Sequence, residues 1–320
     1  MVEINNGDIM QVRLGYVAIS KTLNSVTTSS TITYTNYLKL KDNEKISKVI
    51  ISNLESLIEI LKYNEKNHIH FYRISSNLIP LATKKEVSFD YLTPYQSYYQ
   101  RIKKIIKQSN IRVDMHPNQY CVLNSVKQEV VSMSQDILEY HYKILDAIGI
   151  KDKLIILHIG SNTFGKKNSL TRFIHNFSRL PKYLQEIIAI ENDDKIFNIE
   201  DCLYLSNILD IPIVLDYHHF KCNHSNKKIE EYIEPILKTW KNKRPKMHFS
   251  SPKNQKEYRA HHEYINANDF IDFLQILSSY QQDIDIMLEA KGKDEALFRL
   301  IRELKYKKNY KFIDETSFEI

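Results

Sequence analysis

The chain has 320 residues, 42% hydrophobic and 26% charged, which allows one large packed core and argues against a disordered chain. Lys and Arg outnumber Asp and Glu by 45 to 39, a net charge of +6 that suits a polyanionic partner without specifying one. Cys121, Cys202 and Cys222 form no CxxC pair and argue against a disulfide framework. With no leader-like segment at residues 1–8 and no run of 18 apolar residues, the chain reads as a cytoplasmic protein without a membrane partner.

In chain order, apolar runs alternate with stretches of helical period. A strand is predicted at 12–19. A helix follows at 42–66, with Ile46, Val49, Ile50, Leu54, Leu57, Ile58 and Leu61 along one face. Then come strand 70–75, helix 91–108, strand 111–116, helix 130–147, strand 154–159 and helix 170–183. The second half continues with strand 187–191, helix 199–209, strand 211–217, helix 228–240, strand 246–250, helix 269–280, strand 284–289 and helix 294–304. The basic run at 305–311 reads as a solvated tail. The 6 Gly and 8 Pro are scattered, so no linker divides the chain and residues 1–320 are expected to form a single domain. Eight strand–helix units in about 300 residues favour a closed (β/α)8 TIM barrel over an open doubly wound sheet.

In such a barrel the reactive face lies at the C-terminal ends of the strands. Six consecutive predicted strands deliver a His, Asp or Glu there: His116, His158, Glu191, Asp216, His248 and Glu289. One charged group at the end of a core strand is tolerable, and a lone His is most often a hydrogen-bonded structural residue. Six in series need a compensating positive charge, because burying unpaired carboxylates is costly. A metal cluster supplies it. His and carboxylate without Cys suit Mn, Fe, Co or Zn, and so many donors suggest two or three ions, a recurrent device for phosphoester cleavage. The alternative is a single-metal site of the sugar-isomerase kind.

The segments Arg13-Leu14-Gly15-Tyr16, Tyr72-Arg73-Ile74-Ser75-Ser76, His116-Pro117-Asn118-Gln119-Tyr120, Ile190-Glu191-Asn192, Asp216-Tyr217-His218-His219 and Leu288-Glu289-Ala290-Lys291 together resemble the UV damage endonuclease family, from about residue 13 to 291. The resemblance implies a barrel of the endonuclease IV and xylose isomerase kind. It implies a DNA repair enzyme with two or three Mn2+ ions, for which Mg2+, Co2+ or Zn2+ could substitute. Incision would fall immediately 5′ of cyclobutane pyrimidine dimers and 6-4 photoproducts, with some action at abasic sites, leaving a 3′-hydroxyl and a 5′-phosphate. The partner is double-stranded DNA carrying UV lesions, at the nucleoid, with no obligate protein partner.

Carried over by position, His116, His158 and Glu191 would hold one ion, and Glu191 would bridge to a second held by Asp216, His248 and Glu289. His219 and His261 would hold a third. Lys246, two residues before His248, would be either a carboxylated ligand or an unmodified cation meeting a phosphate. His218 and His219 are adjacent, and strand alternation would send them to opposite sides, as it would His261 and His262; the resemblance selects His219, and the Ala260-His261 register favours His261. One departure is that the family's histidine after the Ser75-Ser76 segment has no counterpart in Leu81-Ala82-Thr83-Lys84-Lys85.

A lesion inside a stacked duplex must be extruded, and side chains must fill the gap. The resemblance gives that wedge to Gln119 and Tyr120, and the DNA face also to Asn118 and Arg73. Tyr16 would contact the flipped bases or the scissile phosphate, and so counts with Glu191 and Lys246 as catalytic. Lys84, Lys85, Lys166, Lys167, Lys253, Lys256, Arg259 and Lys291 fall in loops or at strand ends, where they could meet phosphates or remain solvated. Three rivals stand beside this reading: a xylose-isomerase-like sugar isomerase, an endonuclease IV-like abasic endonuclease, and a non-catalytic nucleic-acid-binding module.

Overall fold

The computed structural model describes residues 9–40 and 43–320. Residues 1–8, on which the expected absence of a leader rests, and residue 42, the predicted start of the first long helix, lie outside the described residues. Eight short strands form where apolar runs predict them: β1 (Gln11–Val17), β2 (Phe71–Ile74), β3 (Arg112–Met115), β4 (Ile155–His158), β5 (Ile188–Glu191), β6 (Ile213–Asp216), β7 (Lys246–Phe249) and β8 (Ile284–Leu288). Their hydrogen-bonded order runs from β2 through β8 to β1, and β1 pairs again with β2. The sheet is therefore a closed parallel barrel. The approach of β1 to β2 needs a glycine, because a Cβ on Gly15 would lie 2.2 Å from the Phe71 carbonyl oxygen.

The helices are α1 (Tyr34–Tyr37), α2 (Glu44–Lys66), α3 (Gln96–Ser109), α4 (Gln128–Ala147), α5 (Lys166–Phe177), α6 (Lys182–Gln185), α7 (Ile199–Leu209), α8 (Tyr217–Cys222), α9 (Glu230–Thr239), α10 (Ala267–Ser278) and α11 (Lys293–Lys307). None of the described helices is long and apolar enough to cross a membrane. Contacts divide the chain into two compact units, one of residues up to 16, 67–71 and 190–320, the other of 17–66 and 72–189.

In the second unit α2 buries Ile46, Ile50, Leu54, Leu57, Ile58 and Leu61, each side chain contributing about 1.5–3 kcal/mol. Asn53 on the same helix is buried and bonds the Ser30 N–H, the Ser30 carbonyl and the Leu78 carbonyl, each at 2.9 Å, so the loops after β1 and β2 hang from one amide. The helix predicted at 170–183 is two helices, α5 and α6. Pro181 disfavours helix at the residue before it and begins α6 instead.

In the first unit, β7 and β8 pair in parallel with Lys246 opposite Asp285, and β1 brings Arg13 opposite the same Asp285. Arg13 grips it with two bonds of 2.7 and 2.8 Å, and Arg244 Nε lies 3.2 Å away. Helix α7 begins with Asn198 and Asp201 in a capping box, worth about 1 kcal/mol, and matches its predicted bounds.

The run at 305–311, expected as a solvated tail, is largely exposed but is not a tail. Residues up to 307 belong to α11, and strands β9 (Lys311–Phe312) and β10 (Ser317–Glu319) follow, with β10 antiparallel to the start of β1. Phe318 is buried against Tyr310 and Phe312, at centroid distances of 5.4 and 5.2 Å. Strands of two and three residues carry no readable period.

Asp314, in the turn before β10, accepts from His70 Nε2 at 2.7 Å and from the Thr316 and Ser317 N–H groups at 3.0 and 2.9 Å. Burial pushes its pKa up, but the bonds from His70, Ser317 and Thr316 outweigh it and hold the carboxyl at about 2. A depressed carboxyl stabilises the fold above its unfolded value, and that contribution fades as pH falls through the folded value. Asp314→Asn should therefore lower Tm at pH 7 through a loss of at most about 2 kcal/mol. Thermal melts of variant and wild type should converge as pH falls from about 4 towards 2.

Candidate metal centre and DNA face

In the first unit, the strand ends bring Glu191, Asp216 and His248 together. All three are buried, and one donor atom from each lies within 4.8 Å of the others. The cause is register: Asp216 sits opposite His248 in the β6–β7 pair. His248 Nδ1 is 2.9 Å from Glu191 Oε1 and 3.4 Å from Glu289 Oε1. Lys246, fully buried, is two residues earlier on β7 and so on the same side as His248, with Nζ 4.9 Å from the Phe71 ring centroid.

Helix α8 follows β6 without a break, and Asp216 is its N-cap, accepting from the His219 N–H at 2.8 Å. The strand alternation expected for His218 and His219 is thereby corrected, because both lie on a helix, where neighbours diverge by about 100°. His219 Nδ1 is 2.9 Å from the Asn192 carbonyl, a bond that fixes the ring and leaves Nε2 clear of it. Its ring is 6.3 Å from that of His261, while His218 lies 5.7 Å from His261. His262 is exposed and accepts from the Tyr264 N–H at 2.9 Å. Asn192, whose role the sequence does not disclose, exchanges two bonds with the Asp216 backbone at 2.9 and 3.0 Å and so ties β5 to β6.

The electrostatics favour a cation. Burial opposes charge on His219, yet Asp216, Glu191 and Glu289 outweigh it and raise its pKa to about 9. Asp216 Oδ2 is buried and accepts no hydrogen bond. Three carboxylates, several imidazoles and an orphaned oxygen, with no thiolate in the group, fit a divalent ion of the Mn, Co or Zn kind.

In the second unit, His158 ends β4 and His116 follows β3, and their rings are 5.1 Å apart. His116 Nδ1 lies 2.9 Å from the Pro117 carbonyl, which leaves Nε2 clear of that bond. Asn118, Gln119 and Tyr120 form an exposed turn, with the Tyr120 N–H donating to Asn118 Oδ1 at 3.0 Å and the Tyr120 residue 63% exposed.

Two residues expected on the DNA face are buried. Arg73 is held inside with Nε 3.5 Å from buried Asp114. Tyr16, in the first unit, exposes no surface for a base to touch. Position at a strand end does not reveal depth. Beside Ser75-Ser76 the structure places a histidine that the sequence pattern does not single out. His141 of α4 is buried, with Nε2 2.9 Å from Ser76 Oγ and Nδ1 2.6 Å from the Ile137 carbonyl. Burial lowers its pKa to about 4, so it is neutral. Several loop cations pair with acids: Lys84 with Glu86, Lys85 with Asp136, Lys253 with Glu257 and Arg259 with Asp194.

The family model for the UV-endonuclease UvdE matches residues 12–319. A UV DNA damage endonuclease of Bacillus cereus (strain B4264) is 40% identical over 301 residues, covering 92% of this chain and 95% of that protein. The crystal structure of SacUVDE, 36% identical, covers 92% of this chain and 98% of its own, with a TM-score of 0.85. Endonuclease IV from Thermus thermophilus, at 12% identity and a TM-score of 0.57 over 92% of this chain and all of its own, shares the fold alone. With matches of that length and identity, the chain belongs to the UV DNA damage endonuclease family.

Proposed function

We propose that the protein is a metal-dependent endonuclease that cuts duplex DNA immediately 5′ of UV photoproducts and leaves a 3′-hydroxyl and a 5′-phosphate. The observation that carries the reading is the buried donor set of Glu191, Asp216 and His248 in a chain of this family. Cyclobutane pyrimidine dimers and 6-4 photoproducts are the principal substrates, with abasic sites secondary. The enzyme works as a single domain on the cytoplasmic chromosome, without an obligate protein partner.

His116, His158 and Glu191 are assigned to one ion, Glu191 with Asp216, His248 and Glu289 to a second, and His219 with His261 to a third. Mn2+ is the preferred ion. Bound there, such ions supply an activated water near neutral pH and stabilise the leaving oxygen. The chain's own residues hold the geometry. Asn192 keeps the ends of β5 and β6 together, and the Asn192 carbonyl orients His219. Lys246 faces the reacting phosphate as a cation or, carboxylated, adds an oxygen donor. Gln119 and Tyr120 fill the gap left by extruded bases, a step that costs a few kcal/mol and less at a damaged pair. The burial of Tyr16 supports an indirect role for it, behind the reacting groups.

Glu191→Gln should lower incision of end-labelled UV-irradiated duplex by more than about 100-fold while DNA binding persists. Turnover close to wild type would remove the bridging role. Chelation should stop cleavage, and added Mn2+ should restore it better than Zn2+; restoration by Zn2+ alone would favour an endonuclease IV-like site. Gln119→Ala with Tyr120→Ala should reduce the preference for damaged over intact duplex by about tenfold. Unchanged discrimination would dismiss the wedge.

A further inference from the structure

We infer that Phe164, in the loop between β4 and α5, is a second aromatic contact to DNA, presented by a loop that is clasped to Leu123 and Asn124, just after the Gln119–Tyr120 turn. The inference rests on the endonuclease reading above and extends it to a segment with no part in the metal centre.

The clasp centres on one buried amide, Asn124. The Asn124 side chain bonds both backbone groups of Ser161, accepting from its N–H at 2.8 Å and donating to its carbonyl at 2.8 Å. The preceding Gly160 has φ +114°, and a Cβ there would lie 2.5 Å from Asn124 Oδ1. The clasp thus needs a residue without a side chain at that place. Arg172 of α5 donates to the Asn124 carbonyl at 2.8 Å and also to the Thr163 carbonyl. Asn176 Nδ2 donates to the Leu123 carbonyl at 2.6 Å, and Ser134 Oγ accepts from the Val122 N–H at 2.7 Å. The loop behind Tyr120 and the loop carrying Phe164 are therefore cross-braced by polar contacts, most of them part-buried.

Phe164 breaks two local rules at once. The residue is 77% exposed, and its backbone has φ +62°, a conformation that disfavours any residue with a Cβ. The backbone around it is nonetheless held: the Phe164 carbonyl accepts from Asn168 Nδ2 at 2.8 Å, and the Gly165 N–H donates to the Asn162 carbonyl at 3.1 Å. A strained, braced backbone that pushes an apolar ring into water marks a functional element. Its chain neighbours Asn162, Thr163, Lys166 and Lys167 are polar or cationic. A protein partner would seek a contiguous apolar patch. One ring beside two lysines suits nucleic acid, with the cations on phosphates and the ring against a base or sugar.

The test uses the full chain with Mn2+ and duplexes with and without a single photoproduct. Phe164→Ala and Phe164→Gly should weaken binding to the damaged duplex about tenfold, with the loss in KM greater than in kcat, and Phe164→Trp should restore it. Phe164→Gly relieves the positive φ, so its Tm should equal or exceed wild type, which separates lost contact from lost fold. Wild-type affinity in both the Ala and Gly variants, with wild-type incision intact, would overturn the inference while leaving the endonuclease reading standing. Failure of the wild-type protein to incise damaged duplex would remove the reading and this inference with it.

Discussion

Negative charge gathered at the ends of parallel strands is the constraint on which the site depends. Glu191 and Asp216 are buried, and Glu289 stands beside them. Like charges at such spacing in a low-dielectric interior repel strongly. The protein answers in part with imidazoles: His248 between Glu191 and Glu289, and His219 near Asp216 and Glu191. It resists spreading of the strand ends with the Asn192 clasp. Asp216 serves twice, capping α8 with Oδ1 and leaving Oδ2 without a hydrogen bond.

The two ends of the first unit's strands make the point by contrast. Asp285 and Asp216 are both fully buried aspartates on neighbouring parts of one sheet. Asp285, near the start of β8, is gripped by Arg13 and approached by Arg244, so its charge is answered by protein cations. Asp216, at the end of β6, has a backbone N–H and nearby imidazoles instead. A barrel that pairs its buried carboxylate fully at one end and incompletely at the other is built to receive charge at the second.

Much of this is legible in the sequence, for physical reasons. Strands that are buried on both faces read as Val, Ile and Leu runs, so a His, Asp or Glu closing such a run stands out, as at Leu157-His158 and Leu215-Asp216. The failures are equally physical. The apolar run at 211–217 reads as strand to its end, yet Asp216 closes β6 and caps α8 in the same residue. Tyr16 and Arg73 look like surface residues because a motif gives order along a strand, and only packing gives depth. The β9–β10 hairpin looks like tail because five strand residues contain too little pattern. Asn192 and Asn124 escape notice because an amide that braces two loops looks, in sequence, like any other polar loop residue.

Under the proposed function, recognition of damaged DNA must also work with little net charge. A surplus of +6 over 320 residues is modest, and several rim cations are already engaged with carboxylates. Such exposed pairs are worth about 0–1 kcal/mol and can be exchanged for phosphate at small cost. They also damp attraction to intact duplex, which would otherwise grow with every free lysine. On that reading, discrimination rests on contacts that an undistorted duplex cannot make. The Asn118–Tyr120 turn supplies an exposed ring on a backbone pinned by its own Asx bond and by the Ser134 hydroxyl behind it. Under the proposed function, a projection pinned in this way gains nothing from a stacked helix and fills the space that a lesion opens, so that selectivity comes from this turn more than from the charge around it.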